Sequence, residues 1–265
     1  MFSRIQEARQ RKQKLFCAFL TLGYPNLSVT EKLIGAFEKL GVDIIELGFP
    51  FSDPLADGPT IQASSEAALK KGVKLEDAFH MAGRLRKKGV KVPLLFFTYF
   101  NPVFHYGTGE FVSRAKRAGF DGTIIPDLPP DEESAFQATC RKKDFAQIFL
   151  IAPTTSRARA AKIARKSQGF IYYVSLKGVT GARKALPRDL TKQLKQLRQM
   201  TSKPFLVGFG VSSPGQAKAL LRMSDGIIVG SALIERLRRS NGNPSEALRF
   251  AKAMIRAVKG QTGPC

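Results

Sequence analysis

Glu46 sits inside an apolar run, Ile44-Ile-Glu-Leu-Gly48, that reads as a buried strand. An ionised carboxylate there is costly unless it faces a polar cavity or a substrate. A Pro- and Gly-rich loop follows and delivers a second carboxylate, Asp57, within Ala56-Asp-Gly-Pro59. Two carboxylates at one cavity, one on a rigid strand and one on a loop, suit acid–base chemistry on a small molecule. Taken alone, Glu46 also fits a buried ion pair and Asp57 also fits a turn or a helix cap. Their pairing is what points to chemistry.

Two Gly-rich turns, Val207-Gly-Phe-Gly-Val-Ser-Ser-Pro214 and Gly230-Ser-Ala232, each precede a helical segment. Backbone N–H groups at a helix start, approached closely because Gly has no side chain, can cradle a phosphate. A third turn, Lys177-Gly-Val-Thr-Gly-Ala182, is followed by Arg183 and Lys184 and suits a lid that excludes water on closing. Phe19, Phe97, Tyr99, Phe149 and Tyr172 fall in or just after apolar runs. They fit either core or the wall of a flat hydrophobic pocket, and pattern alone does not separate the two.

The elements that must position these groups are short apolar runs at 15–22, 43–47, 92–99, 122–126, 147–151, 170–175, 204–208 and 226–229. Runs that are apolar on both faces suit a parallel sheet covered on both sides. Amphipathic stretches at 30–40, 75–88, 110–118, 131–142, 157–166 and 214–223 alternate with them. About eight strand–helix units in one chain favour an α/β (β/α)8 TIM barrel over an open doubly wound sheet. Gly41, Gly89 and Gly119 follow helical stretches and supply left-handed caps. Residues 1–265 form one domain in this reading. A short extra N-terminal helix spans 1–14, on the surface, and a loose tail spans 260–265.

Composition narrows the classes further. No apolar run is long enough to span a membrane, and the basic N-terminal stretch lacks the apolar centre of a secretory signal. Cys17, Cys140 and Cys265 are widely spaced and His80 and His105 are the only histidines, which argues against a disulfide framework or a metal site and suits the cytoplasm. The net charge of +22 is unusual, and residues 141–203 carry 16 basic against 2 acidic side chains. Such a field attracts phosphorylated substrates, nucleic acid or an acidic protein face. The basic groups recur at helical spacing with no interleaved aromatics, so a solvated helix face is favoured over nucleic-acid binding.

Seven segments, in order, carry a resemblance to a known family. They are Ala18-Phe-Leu-Thr-Leu-Gly-Tyr-Pro25, the stretch from Glu46 through Gln62, Tyr99-Phe-Asn-Pro102, Pro126-Asp-Leu-Pro129, Gly178-Val-Thr-Gly181, Gly208-Phe-Gly210 and Gly230-Ser231. The chain resembles the alpha subunit family of tryptophan synthase throughout. That resemblance implies a carbon–carbon lyase that cleaves indole-3-glycerol phosphate to indole and glyceraldehyde 3-phosphate, with no metal or organic cofactor in this chain. It implies that Glu46 is the acid–base group, that Asp57 accepts a bond from the indole N–H, and that Tyr172 orients Glu46. Phe19, Tyr99, Ile124, Leu150 and Phe209 would line the indole pocket. Gly181, Gly210, Gly230 and Ser231 would hold the phosphate, and Thr180 would bond Asp57 when the lid closes.

The resemblance also implies a pyridoxal-phosphate beta subunit as partner, in an alpha2beta2 heterotetramer, receiving indole for L-tryptophan synthesis. Pro50, Asp53, Pro54, Asn101, Phe104, Asp127 and Pro129 would face it. The high basicity departs from the family, as do Tyr24, where an acidic residue is common, and Leu176, where some members carry a basic one. Two other readings remain open at this stage: a stand-alone lyase with the same chemistry, and a non-catalytic barrel that binds an anionic partner.

Overall fold

The computed structural model describes residues 1–174, 188–208 and 210–260. Ser175, Leu176, the lid turn with Thr180 and Gly181, Arg183, Lys184, Phe209 and the tail 261–265 lie outside the described residues.

The strands are β1 (Leu15–Thr21), β2 (Ile44–Gly48), β3 (Leu94–Phe97), β4 (Gly122–Ile124), β5 (Ala146–Ile148), β6 (Leu150–Ile151), β7 (Ile171–Val174), β8 (Phe205–Gly208) and β9 (Gly226–Val229). All pairings are parallel, in the order β5-β4-β3-β2-β1-β9-β8-β7-β6. The sheet begins on β5 and ends on β6, and these are the two halves of one expected strand, parted at Phe149. The first half pairs with β4 and the second with β7, so the sheet closes on itself as a barrel. The Phe149 carbonyl still accepts from the Tyr172 N–H at 3.1 Å. Several strands are shorter than the apolar runs suggest: 92–99 contributes only Leu94–Phe97, because Pro93 cannot donate to a ladder.

The helices are α1 (Phe2–Gln10), α2 (Leu27–Leu40), α3 (Pro59–Lys70), α4 (Leu75–Lys87), α5 (Phe100–Tyr106), α6 (Thr108–Ala118), α7 (Ser134–Lys142), α8 (Arg157–Lys166), α9 (Arg188–Met200), α10 (Pro214–Leu221), α11 (Ser231–Arg239) and α12 (Pro244–Lys259). Their ends follow the expected chemistry. Asn26, Ser156 and Ser213 cap helix starts with side-chain oxygens. Gly41, Gly89 and Gly119 all adopt positive φ after helices. None of the described helices is long and apolar enough to cross a membrane. On α8 and α9 the basic side chains of Arg157, Arg159, Lys162, Lys192, Lys195 and Arg198 are exposed, which is the solvated face expected from their spacing.

Period-two alternation sorts strand residues into two cores. Phe16, Ala18, Leu20, Ile45, Leu47, Leu94, Phe96, Ile171, Tyr173, Phe205, Val207, Ile227 and Val229 pack outward under the helices. Leu15, Cys17, Phe19, Ile44, Leu95, Phe97, Ile124, Tyr172, Leu206 and Ile228 fill the barrel. Glu46 lies between outward Ile45 and Leu47, so it points inward.

The N-terminal helix is shorter than expected and is more than a surface element. Ile5 and Ala8 join the barrel-interior core, while the Met1 amino group meets Asp121 at 3.2 Å and Arg4 meets Asp43 at 3.3 Å. It closes the bottom of the barrel.

Two glycines let strands approach closely. A Cβ on Gly226 would lie 2.4 Å from the Leu15 carbonyl oxygen, and one on Gly122 would lie 2.3 Å from that of Ala146. Backbone held in a barrel ladder cannot yield to this. Gly226→Ala is therefore expected to cost about 1–3 kcal/mol through overpacking. The check is a lower urea midpoint at unchanged slope; an unchanged midpoint would show that the barrel accommodates the methyl group.

Candidate active site

Phe19 and Glu46 are register partners across β1 and β2, and Glu46 in turn faces Leu95 on β3. The Glu46 side chain is fully buried. Its Oε1 accepts a hydrogen bond from the Cys17 thiol at 3.3 Å, and its Oε2 is the sole buried side-chain oxygen or nitrogen among the described residues without a partner. Burial pushes its pKa up to about 8, against a smaller opposing effect of the Cys17 hydrogen bond. At neutral pH this group therefore holds its proton.

Asp57 lies on the loop between β2 and α3, half-buried. Its Oδ2 accepts from the Tyr99 hydroxyl at 3.0 Å, and that hydroxyl accepts from the Ala56 N–H at 2.9 Å. Burial raises Asp57 to about 6, with the Tyr99 bond pulling the other way. Tyr99 is held by stacking on Phe51, with ring centroids 5.2 Å apart, and its own pKa is raised, first by burial and then by the charge of Asp57. The two carboxylates thus differ by environment, one neutral and one largely ionised at pH 7.

A cavity of about 260 Å³ opens at the C-terminal end of the barrel. Phe19, Asp57, Phe97, Tyr172 and Ile228 line one part, and Gly210, Ser212, Gly230 and Ser231 line another. A second cavity of about 380 Å³ shares Phe97 and Tyr172 and adds Leu150 and Phe149. The glycine turns meet the N-terminal end of α11, whose first-turn N–H groups have no carbonyl within the helix to bond. An anion placed there is favoured by those N–H groups and by the helix dipole. Glu235, one turn along α11, also reaches this cavity. It is paired to Arg238 at 2.8 Å and to Arg239 at 2.7 Å, and their bonds hold its carboxyl down at about 2.

The structure therefore gathers Glu46, Asp57, Tyr172, Phe19, Gly210, Gly230 and Ser231 at one end of the barrel. Ile124 faces the interior, and Leu150 lies in the second cavity. Tyr172 does not bond Glu46; the Cys17 thiol takes that place. The Tyr172 ring instead packs over Gly208, where a Cβ would come within 2.6 Å of its hydroxyl oxygen. Glu46 itself lines neither cavity. Cys17, Thr60, Ile61, Ser212 and Glu235 are site residues that the sequence reading missed.

Of the expected partner-facing residues, Asp53, Asn101, Phe104 and Asp127 are exposed, Pro54 and Pro129 are half-buried, and Pro50 is buried within the chain. Pro50 follows β2 after Phe49 and is buried, so it does not present a surface. Leu55, with 95% of its surface exposed, and Phe104, with 61%, are the large apolar groups this rim displays.

Residues 5–262 match the family model described as tryptophan synthase alpha chain. The tryptophan synthase alpha chain of Citrifermentans bemidjiense is 42% identical over 256 residues, covering 97% of this chain and 95% of the relative. That of Dehalococcoides mccartyi is 46% identical over 233 residues, covering 88% and 91%. Among solved structures, tryptophan synthase subunit alpha from Legionella pneumophila superposes with a TM-score of 0.89 at 32% identity, covering 98% of each chain. Fold, site geometry and these similarities agree, and the chain belongs to the tryptophan synthase alpha chain family.

Proposed function

We propose that the chain cleaves indole-3-glycerol phosphate to indole and glyceraldehyde 3-phosphate, as one barrel domain and without a cofactor of its own. The observation that carries this is an apolar pocket that ends in a glycine-lined helix start, with Asp57 in its wall and Glu46, of separated pKa, buried behind Phe19. The indole ring fits the apolar part and the phosphate the cradle of Gly210, Gly230 and Ser231.

Protonated Glu46 gives its proton to ring carbon C3, and Asp57 accepts the indole N–H bond and faces the positive charge that develops on the ring. A fixed carboxylate aimed at that charge is worth about 3–4 kcal/mol. The Glu46 carboxylate then takes the proton of the side-chain hydroxyl adjacent to the ring. The carbon–carbon bond breaks, its electron pair returns to the indole, and the hydroxyl carbon becomes the aldehyde. The proton balance of Glu46 closes over the cycle. Tyr172 borders the same space, and Phe19 and Phe97 wall it, their rings edge-to-face at 5.4 Å.

The exposed Leu55 and Phe104, close to Asp53, Asn101 and Asp127, support a protein partner at this rim. In this reading the partner is a pyridoxal-phosphate beta subunit in an alpha2beta2 assembly, and indole passes to it. Two buried free thiols, Cys17 and Cys140, suit a reducing cytoplasm. The test is indole release from indole-3-glycerol phosphate by the purified chain, with and without a cognate beta subunit. Slow release accelerated by the partner is expected. Fast release without it would make the chain a self-sufficient lyase, and none in either case would overturn the reading.

With a net charge of +22, exposed charge contributes to partner association, and salt screens it beyond roughly 8–10 Å. The dissociation constant of the complex is expected to rise between low and high salt. Equal constants, measured by titration calorimetry at both, would refute that contribution.

A further inference from the structure

Glu46 faces a problem of position. It must reach a substrate, yet its carboxyl is fully buried and lines neither cavity. One of its oxygens has no partner, so burial alone does not satisfy this rotamer. Among the described residues, the one hydrogen bond that holds it comes from Cys17, on the neighbouring strand and the same interior face.

Resting on the function proposed above, we infer that Cys17 is a positioning residue: its thiol latches Glu46 in a withdrawn rotamer that must release before the carboxyl meets the indole ring. The thiol suits this task. It is a small, otherwise apolar group that tolerates the barrel interior, and its S–H is a weak donor. A weak bond can hold a side chain and still let it go, whereas a charged partner in that setting would trap it. Burial and the nearby Glu46 push the Cys17 pKa well above its ordinary range, so the donor proton stays on sulfur.

The other titratable groups around Glu46 do not replace this contact. Tyr172 on β7 faces it without a hydrogen bond, and Asp57 acts on Tyr172 from the loop above. Asp43 lies toward the barrel bottom, bonded to Lys259 at 2.7 Å, to Arg4 at 3.3 Å and to the Phe16 N–H at 2.9 Å. Leu95 and Ile228, from β3 and β9, contribute no donor.

A latch reduces the reactive fraction of the enzyme, so removing it should raise turnover in proportion to the population released. Cys17→Val keeps the bulk and removes the donor. For the isolated chain its kcat is expected to rise about 2- to 10-fold, the equivalent of one modest hydrogen bond, with KM unchanged. The alkaline limb of the rate profile should move to higher pH, because the ionised form of Glu46 loses its one donor. Cys17→Ser supplies a stronger donor and should move both the other way, with kcat at or below wild type and the limb at the same or lower pH. A merely structural role would alter thermal stability and leave the pH limb in place. If Val and Ser behave alike, or neither moves kcat or the limb, the inference is overturned.

A measurement on the unaltered chain guards against a variant that fails to fold. The infrared S–H stretch of Cys17, assigned by its loss in Cys17→Val or by its response to Glu46→Gln, should shift toward that of a free thiol when a non-cleavable indolylalkyl phosphate binds. A bound complex with no such shift would overturn the latch. Wild-type cleavage with unaltered variants would sink the latch alone, whereas absence of wild-type cleavage would sink the functional reading and leave the thiol band to judge the contact.

Discussion

Glu46→Gln is expected to lose at least about 1,000-fold in turnover, within the range of a general acid–base group, and to be more stable than the wild type above neutral pH. The two effects share one cause. Burial raises the Glu46 pKa from 4.5 to about 8, so the folded chain holds a proton that the unfolded chain releases. Stability from this group is fully present below about pH 4.5, falls as pH rises through 8, and levels off above that. The wild type therefore carries a penalty of a few kcal/mol in alkaline solution, the order that a shift of this size implies. Glutamine removes the penalty because it does not ionise, although its amide inherits one unmatched buried position.

Urea unfolding across pH 4–9 checks this. The wild-type midpoint should decline between about pH 6 and 8, and the variant should lack that decline while keeping the one below pH 6 that belongs to Asp57. Substrate affinity should survive, because the phosphate cradle and apolar walls are untouched. Parallel stability curves for the two proteins would mean that Glu46 ionises freely in the fold. Near-normal turnover in the variant would move the acid–base role to another residue.

The site was legible in the sequence where residue type conflicts with its setting. Glu46 stands out because a carboxylate interrupts a strand that is otherwise buried on both faces. Gly230 stands out because it precedes a helix where Ser or Asp would be the ordinary cap. The barrel followed from strand–helix alternation, but the way it closes did not. The run at 147–151 reads as one strand, and only three-dimensional pairing shows it divided at Phe149 between β4 and β7. The plugging role of α1 was hidden for a related reason: Ile5 and Ala8 are too sparse to mark a buried face, and their burial depends on the barrel end that receives them.

Contacts between strands were the least readable part. Cys17 reads as an ordinary core residue, and only the register of β1 against β2 brings its sulfur to Glu46. Tyr172 shows the same limit, since its strand face was readable but its neighbours were not. It faces Glu46 across the barrel interior without a hydrogen bond, and its ring settles over Gly208. The spacing of residues in sequence carries which face a side chain takes and says little about which neighbour it touches across a closed sheet.

Asp57 and Glu46 together should give kcat/KM a bell-shaped pH dependence, with limbs near pH 6 and pH 8 and a maximum between them. The acid limb reports Asp57, which must be ionised to accept the indole N–H. The alkaline limb reports Glu46, which must carry a proton to give to C3. Asp57→Asn removes the acceptor charge and should cost about 100-fold or more, as loss of one fixed electrostatic partner does, and it should abolish the acid limb. Tyr99→Phe is the sharper test. The Tyr99 hydroxyl donates to Asp57 Oδ2 at 3.0 Å and favours its ionised form. Without that bond the Asp57 pKa rises, so the acid limb moves to higher pH while the alkaline limb stays. The deficit of Tyr99→Phe should therefore be larger at pH 6 than at pH 8. A deficit equal at all pH values would mean that Tyr99 acts through packing against Phe51 and not through the carboxylate.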